Sequence, residues 1–303
     1  MAPTSNGTGK VTIVTHSSHF HTDDVFAVAT LLLALEKDFD VEVIRSRDQA
    51  IIDKADYVVD VGLVYDESKN RFDHHQEEGA GKRENGVPYA SFGIVWKKFG
   101  EQLTKNKKVA NKIDVTIIQP IDSGDNGLKF LDTRIAGLCP FDIGLLVNIF
   151  SPTWKESTDN IDDYFIRAVS YAKFILTRFI KVSIDNDIAE EMVVEAYQNS
   201  LDKRLVEVDS SWPWEETLSK FPEPLFVIYK NGDNNWSVKG IRTDPFSYQP
   251  KKRLLESWAG KTGEDLSKIT GISGCVFCHR QRFMAVNKTK EGILKMAEIA
   301  LNS

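Results

Sequence analysis

The stretch Lys10-Val-Thr-Ile-Val-Thr-His-Ser-Ser-His-Phe-His-Thr-Asp-Asp24 decides the fold. Lys10–Thr15 is a short run rich in β-branched residues and reads as a buried strand ending at His16. After a small-residue turn, Thr22-Asp23-Asp24 is placed to cap a helix running to about Lys37, with acidic residues at its positive end. Working outward, Val41–Ile44 is the next strand and Asp56–Val61 a third, closed by Gly62. Arg71–His75 reads as a fourth strand that breaks into a polar, Gly-rich loop through Gly86. Strand and helix alternate, which predicts an α/β fold built on a parallel sheet with right-handed crossovers.

Helical patterns follow over Ser91–Leu103 and Val109–Ile118, and the middle of the chain, from Ile135 to about Arg204, is predominantly helical by its apolar spacing. Pro213, Pro222 and Pro224 then interrupt the pattern. Beyond them come strand-like pieces, Leu225–Tyr229, Trp236–Ile241 and Gly274–Phe277, and a final helix near Thr289–Leu301. The expected organisation is a first domain over residues 8–204, ending in a helical connector, and a smaller C-terminal α/β domain over 205–303. No internal repeat or low-complexity tract is present.

The chain has 303 residues, 42% hydrophobic and 27% charged, which suits a soluble globular protein and excludes wholesale disorder. Its longest uncharged apolar run, Val25–Leu35, is far short of a membrane span. Residues 1–10 contain no apolar core of an export signal and no arginine, so an intracellular protein is expected, cytoplasmic or nuclear, with the mitochondrion left open. Three cysteines, Cys139, Cys275 and Cys278, do not make a disulfide framework. The formal charge is −6, but Lys239–Lys295 holds twelve Lys/Arg against five Asp/Glu. That segment is therefore +7 and the remainder −13. Such an asymmetry suits a polyanion on one face and cations on the other, although a solvated surface explains most charge runs. The pattern specifies no oligomeric state.

Five of the six histidines, His16, His19, His21, His74 and His75, fall in the first quarter of the chain. Acidic and histidine clusters recur where strands end: His16–Asp24, then Asp60, then Asp73-His74-His75, then Asp122-Ser-Gly-Asp125-Asn-Gly127. In an open α/β sheet the carboxyl ends of the strands line one crevice, where these clusters would converge. Imidazole and carboxylate without thiolate suit Mn²⁺ or Mg²⁺, with some capacity for Zn²⁺ or Fe²⁺. His16, His21, Asp23, Asp60, His74 and Asp122 are enough ligands for two metals if one carboxylate bridges, and two metals would hold a hydroxide and clamp a phosphoryl oxygen. Each cluster has a plain structural alternative. Asp23 and Asp24 could be a helix cap, Asp60 turn chemistry, His74-His75 a structural pair, and Asp122 and Asp125 a loop of Asx turns. Their joint occurrence at successive strand ends favours the metal reading.

Asp73-His74-His75 is the signature of the DHH phosphoesterases, and His16-x₄-His21-x-Asp23 has the spacing of that superfamily's first motif. A closer set comprises Thr15-His-x-x-x-Phe-His-x-Asp, Val59-Asp-Val-Gly62, Phe72-Asp-His-His-Gln76, Ile121-Asp-x-x-Asp-Asn-Gly127, and Gly274-Cys-Val-Phe with Asn287-Lys-Thr-Lys-Glu-Gly292. With these motifs in order, the chain resembles the melanocyte-proliferating-gene family of DHH-type exonucleases over nearly its whole length. The resemblance implies two domains with an active site in the cleft between them, 3′-to-5′ exonuclease activity on single-stranded RNA (DNA also possible), and two divalent ions, Mn²⁺ before Mg²⁺. It assigns His16, His21, Asp23, Asp60, His74 and Asp122 to the metals, with Asp60 as the bridge, and points His75 at the phosphate. Two departures stand out. Ser18 replaces a common glycine, and Met284-Ala285-Val286 replaces a Phe-Ile-Gly-Gly loop whose amides would approach an anion, so weaker substrate grip is expected.

The C-terminal domain is expected to hold the strand through Arg280, Arg282, Lys288 and Lys290, with the free amides of the last helix start. Trp236, Phe246, Tyr248, Trp258 and Phe283 could stack bases, but most are better read as domain core. Cys275-Val-Phe-Cys278-His279 matches a haem-attachment pattern without the export that chemistry requires, so no haem is expected. A structural zinc would need Cys139 as a distant fourth ligand. An amidohydrolase would need more histidines after His75 than His279 alone. Two alternatives stay open: a DHH phosphoesterase acting on polyphosphate or a short oligonucleotide, and a non-catalytic metal- or nucleic-acid-binding protein.

Overall fold

A computed structural model describes residues 9–128, 141–245 and 247–303. Cys139 and Phe246 lie outside the described residues. The chain forms two compact units, Met1–Ile184 and Asp185–Ser303.

The first unit begins with β1 (Gly9–Thr15), α1 (Thr22–Leu35), β2 (Phe39–Arg45), the single turn α2 (Gln49–Ile52), β3 (Tyr57–Val59), β4 (Tyr65–Asp66) and β5 (Arg71–Phe72). The strands lie in the order β2-β1-β3-β5-β4. β2, β1, β3 and β5 run parallel, and only β4 on the edge is antiparallel. Register matters more than order. Thr15 pairs with Val59 and Val59 with Phe72, so three parallel strands stop level with one another. The residues that follow, His16, Asp60 and Asp73, therefore leave the sheet side by side at its carboxyl edge.

Helix α1 is buried nearly all round, from Val25 to Leu31, which explains its uniform apolar composition. It packs against α3 (Ser91–Thr104), and Phe26 meets Phe92 with ring centroids 5.4 Å apart. α4 (Lys107–Ile113) is capped by the Asn106 side chain, which accepts from the Lys108 and Val109 amides. The chain widens to a π-helical turn over Asp114–Ile118 and continues as α5 (Gln119–Asp125). α6 (Ile143–Asn148) follows, and α7 (Ile161–Asn199) runs from the first unit into the second.

The second unit holds β6 (Leu205–Glu207), α8 (Trp214–Ser219), β7 (Phe226–Lys230), β8 (Trp236–Gly240), α9 (Gly263–Thr270), β9 (Cys275–Cys278), β10 (Met284–Asn287) and α10 (Lys290–Asn302). Its sheet order is β6-β7-β8-β10-β9, antiparallel except for β6 against β7. Met284-Ala285-Val286 is thus not a loop. It is an inner strand, with Ala285 and Val286 buried, so glycines here would weaken a strand rather than open an anion cradle. Trp258 is core, Trp236 packs on that core and Tyr248 is exposed.

The Gly274 and Gly292 motifs are also structural. Asn287 is wholly buried; its Nδ2 donates to the Ser273 carbonyl at 3.0 Å and its Oδ1 accepts from the Thr289 amide at 2.9 Å. A Cβ at Gly292 would overlap the Asn287 amide, and one at Gly274, whose φ is 76°, would press on it. Thr289 caps α10 by accepting from the Gly292 amide at 3.0 Å. That removes one of the amides expected to face an anion.

Candidate metal centre

His16 follows β1 and is 2% exposed. Its Nε2 lies 3.1 Å from Asp24 Oδ2 and 3.4 Å from Asp60 Oδ2. His21 is the N-cap of α1, and its backbone N–H donates to Asp24 Oδ1 at 2.9 Å, closing a capping box. The cap thus belongs to His21 and Asp24. Asp23 has no part in it: it is 1% exposed, and neither carboxylate oxygen has a hydrogen-bond partner.

Asp60 follows β3 with φ at 56°, left-handed backbone that an aspartate tolerates better than most residues. The turn aims its carboxylate inward. Oδ1 accepts from the Ser91 hydroxyl at 2.8 Å and lies 3.3 Å from His74 Nε2. Asp73 is turned to support rather than to the cluster. Its Oδ2 accepts from the Leu63 amide at 2.6 Å, while Oδ1 holds both the amide and Nδ1 of His75 at 3.0 and 2.8 Å. His74 Nε2 also lies 3.1 Å from Asp125 Oδ2 and 3.8 Å from Asp23 Oδ2.

Three overlapping groups result, within each of which the donor atoms lie within 4.8 Å of one another: His16, His21 and Asp60; Asp60, His74 and His75; His21, Asp23 and Asp125. The structure therefore brings together His16, His21, Asp23, Asp60, His74 and His75 from the sequence set. Asp122 it places elsewhere, fully buried, with Oδ2 2.8 Å from Arg83 Nη1 and Oδ1 accepting from the Gly93 amide at 3.1 Å. From the same helix, Asp125 reaches the cluster instead. Asp125, Asp24 and Ser91 were not among the expected site residues. Asp125 was visible in the Asp-x-x-Asp motif, but only the phase of α5 tells which carboxylate faces which way.

The electrostatics are those of a site dominated by carboxylates. Burial, reinforced by Asp60 and Asp125, holds the Asp23 carboxyl well above the usual carboxylate range. Asp60 is held below that range in spite of its burial, by His16 and His74 beside it. Burial alone would lower the histidines; the flanking Asp24 and Asp60 bring His16 to about 10, and Asp125 and Asp60 bring His74 to about 10. Protonated imidazoles thus balance part of the negative charge. An unpartnered, buried carboxylate among imidazoles and further carboxylates fits hard to borderline divalent ions such as Mn²⁺ or Mg²⁺.

The remaining expected residues lie in the second unit. Arg280 and Arg282 occupy the β9–β10 turn, where Arg282 has φ 63° and donates its amide to the His279 carbonyl at 2.8 Å. Lys288 is exposed. Lys290 pairs with Glu207 at 2.6 Å and lies over the Trp236 ring at 5.1 Å.

A family model for MYG1 exonucleases, described as an uncharacterised protein family, UPF0160, matches residues 12–301. The chain belongs to this family. A MYG1 protein of Dictyostelium discoideum is 30% identical, with 96% of this chain and 97% of that one aligned. The human protein named MYG1 exonuclease is 27% identical over 95% of this chain and 85% of its own length. Among solved structures, RecJ in complex with Mn²⁺ from Thermus thermophilus aligns over 98% of this chain at 11% identity and a TM-score of 0.29, too low to carry the fold. The chain spans about half the length of that protein, 52%. Among the described residues no helix is long and apolar enough to cross a membrane.

Proposed function

We propose that this MYG1-family chain hydrolyses phosphodiester bonds of single-stranded nucleic acid as an exonuclease, RNA first and from the 3′ end, with two divalent cations. The observation that carries the reading is Asp23: a buried carboxylate with neither oxygen hydrogen-bonded, beside a second carboxylate, Asp60, shared by two groups of potential ligands. His16, His21 and Asp60 would hold one cation, and Asp23, Asp60, His74 and Asp125 the other, with Asp60 between them. When bound, such a pair supplies a deprotonated water near neutral pH and offsets charge on a phosphoryl oxygen.

The chain's own residues do the positioning. Asp73 fixes the His75 ring through Nδ1, which leaves Nε2 for a phosphate oxygen, and its hydrogen bond raises His75 above the ordinary histidine value, favouring the charged ring that would donate there. The His75 side chain is 53% exposed, so substrate can reach it. Ser91 holds Asp60 in one orientation. Arg280, Arg282 and Lys288 would engage further phosphates, whereas Lys290 would first have to leave Glu207. The exonuclease names of mammalian relatives support the activity class.

The test is an end-labelled single-stranded RNA and its DNA counterpart, incubated with Mn²⁺, Mg²⁺ or EDTA. A ladder shortening from the 3′ end of RNA with Mn²⁺ and silent in EDTA is expected. Undiminished full-length strands under every metal would overturn the reading.

A further inference from the structure

We infer that Arg83 is a positioning residue for the candidate metal centre: by clamping Asp122 and Asp114 it sets the phase of α5 and so delivers Asp125 to His74 and Asp23. The inference rests on the metal reading above.

Arg83 lies in the polar loop before α3, yet it is only 9% exposed. Its guanidinium is used on all sides. Nε and Nη2 grip Asp114 at 2.9 and 2.7 Å, and Nη1 faces Asp122 Oδ2 at 2.8 Å and the Pro88 carbonyl at 3.4 Å. The Tyr89 ring covers its face, 4.1 Å from ring centroid to Cζ. Asp114 opens the π-helical turn and Asp122 lies in the helix that follows it, so one planar fork ties the start of the irregular stretch to the regular helix beyond it. A fork binds two carboxylates in fixed directions, which the single ammonium of a lysine does not.

The adjoining flank of α5 faces the site. Asp122 and Asp125 are three residues apart, one turn of helix, so fixing the first fixes the height and rotation of the second. Asp125 itself is exposed, and it meets His74 at 3.1 Å rather than a clamp of the kind that holds Asp122. Gly93 completes the arrangement. A Cβ there would overlap the Asp122 carboxylate, so α3 carries glycine where the clamp needs room, and its amide becomes a second donor to Asp122.

A partner that orients a metal ligand changes metal affinity by about 10- to 100-fold when removed. The experiment titrates Mn²⁺ into wild type, Arg83→Lys, Arg83→Met, Asp125→Ala and the Arg83→Met/Asp125→Ala double variant, reading bound Mn²⁺ by electron paramagnetic resonance and thermal midpoint in EDTA. Arg83→Lys and Arg83→Met should weaken one of two Mn²⁺ sites by about 10-fold or more. The double variant should bind that ion no more weakly than Asp125→Ala alone, because both changes act on one ligand. A lowered midpoint in EDTA with unchanged Mn²⁺ affinity, or effects that add in the double variant, would make Arg83 merely structural and overturn the inference. Should Arg83→Met not fold, Arg83→Lys and its pairing with Asp125→Ala decide alone. Wild type without any Mn²⁺ binding would instead remove the metal reading itself, a different and recognisable failure.

Discussion

Ser91 donates its hydroxyl to Asp60 Oδ1 at 2.8 Å, and both side chains are buried. The first residue of α3 thereby orients the carboxylate on which two ligand groups converge. Ser91→Ala should cost about 1.5–3 kcal/mol of stability, as for one hydrogen bond to a charged group, and weaken Mn²⁺ binding about 10-fold. Urea unfolding and a Mn²⁺ titration check both numbers. Asp60→Ala should abolish binding of at least one ion while the far-ultraviolet circular dichroism stays that of a folded protein.

Asp23 gives a prediction whose sign depends on metal. Without cations its buried carboxylate faces Asp60 and Asp125 with neither oxygen hydrogen-bonded, so Asp23→Asn should raise stability in EDTA by about 1–3 kcal/mol. With saturating Mn²⁺ the order should reverse, because wild type gains ligand binding energy that the variant lacks. Thermal midpoints of the two proteins, each with EDTA and with Mn²⁺, make the comparison. A variant that is less stable in both conditions would mean Asp23 serves the fold.

Ser18 has φ 76° in the turn after His16, and its carbonyl accepts from Arg45 Nη2 at 2.6 Å. The backbone there is one that glycine adopts without cost, which explains the glycine expected in the family's first turn. Ser18→Gly should therefore stabilise by up to about 1 kcal/mol, since relief of left-handed strain outweighs the added freedom of the unfolded chain. Urea midpoints measure it.

Gly292→Ala should destabilise by about 1–3 kcal/mol, the usual range for overpacking, because its methyl would enter the space of the Asn287 amide. Combined with Asn287→Ala, the added loss should shrink, since the obstructing group is gone. Equal loss in both backgrounds would show that the contact is not the cause.

Cys278 is buried, and burial pushes its thiol up to about 11 despite Arg282 nearby. Its unfolded value is near about 8.5. A raised folded value means the thiol contributes stability that is fully present below about pH 8.5 and lost as pH rises towards 11. Native protein at mildly alkaline pH should react slowly with a thiol reagent at Cys278 and fully once unfolded, measured by mass spectrometry of the labelled peptide.

Much of this was legible beforehand. The strand Lys10–Thr15, the level ends implied by His16, Asp60 and Asp73, and the helices on either side follow from β-branched runs and helical periodicity. The short strands β4 and β6 did not, because two or three residues carry no period, and Met284–Asn287 was read through the glycine loop it replaces. The division between Asp122 and Asp125 was invisible for another reason. Both carboxylates sit in one motif, and only the partner from a distant loop, Arg83, decides which of them turns away. The capping role passed from Thr22 and Asp23 to His21 for a related reason: a histidine is an uncommon cap, and the bond its backbone N–H donates to the Asp24 carboxylate is what makes it one.

All the side chains of the candidate metal centre come from the segment between His16 and Asp125, in the first of the two units. Along the chain every one of these ligands precedes the second sheet, whose first strand begins at Leu205, so during synthesis they are made before it. A nascent chain halted anywhere beyond Ile184 carries every one of those ligands, and before Leu205 none of the second sheet. The order of the ligands along the chain thus sets the candidate metal centre ahead of the whole second sheet in synthesis.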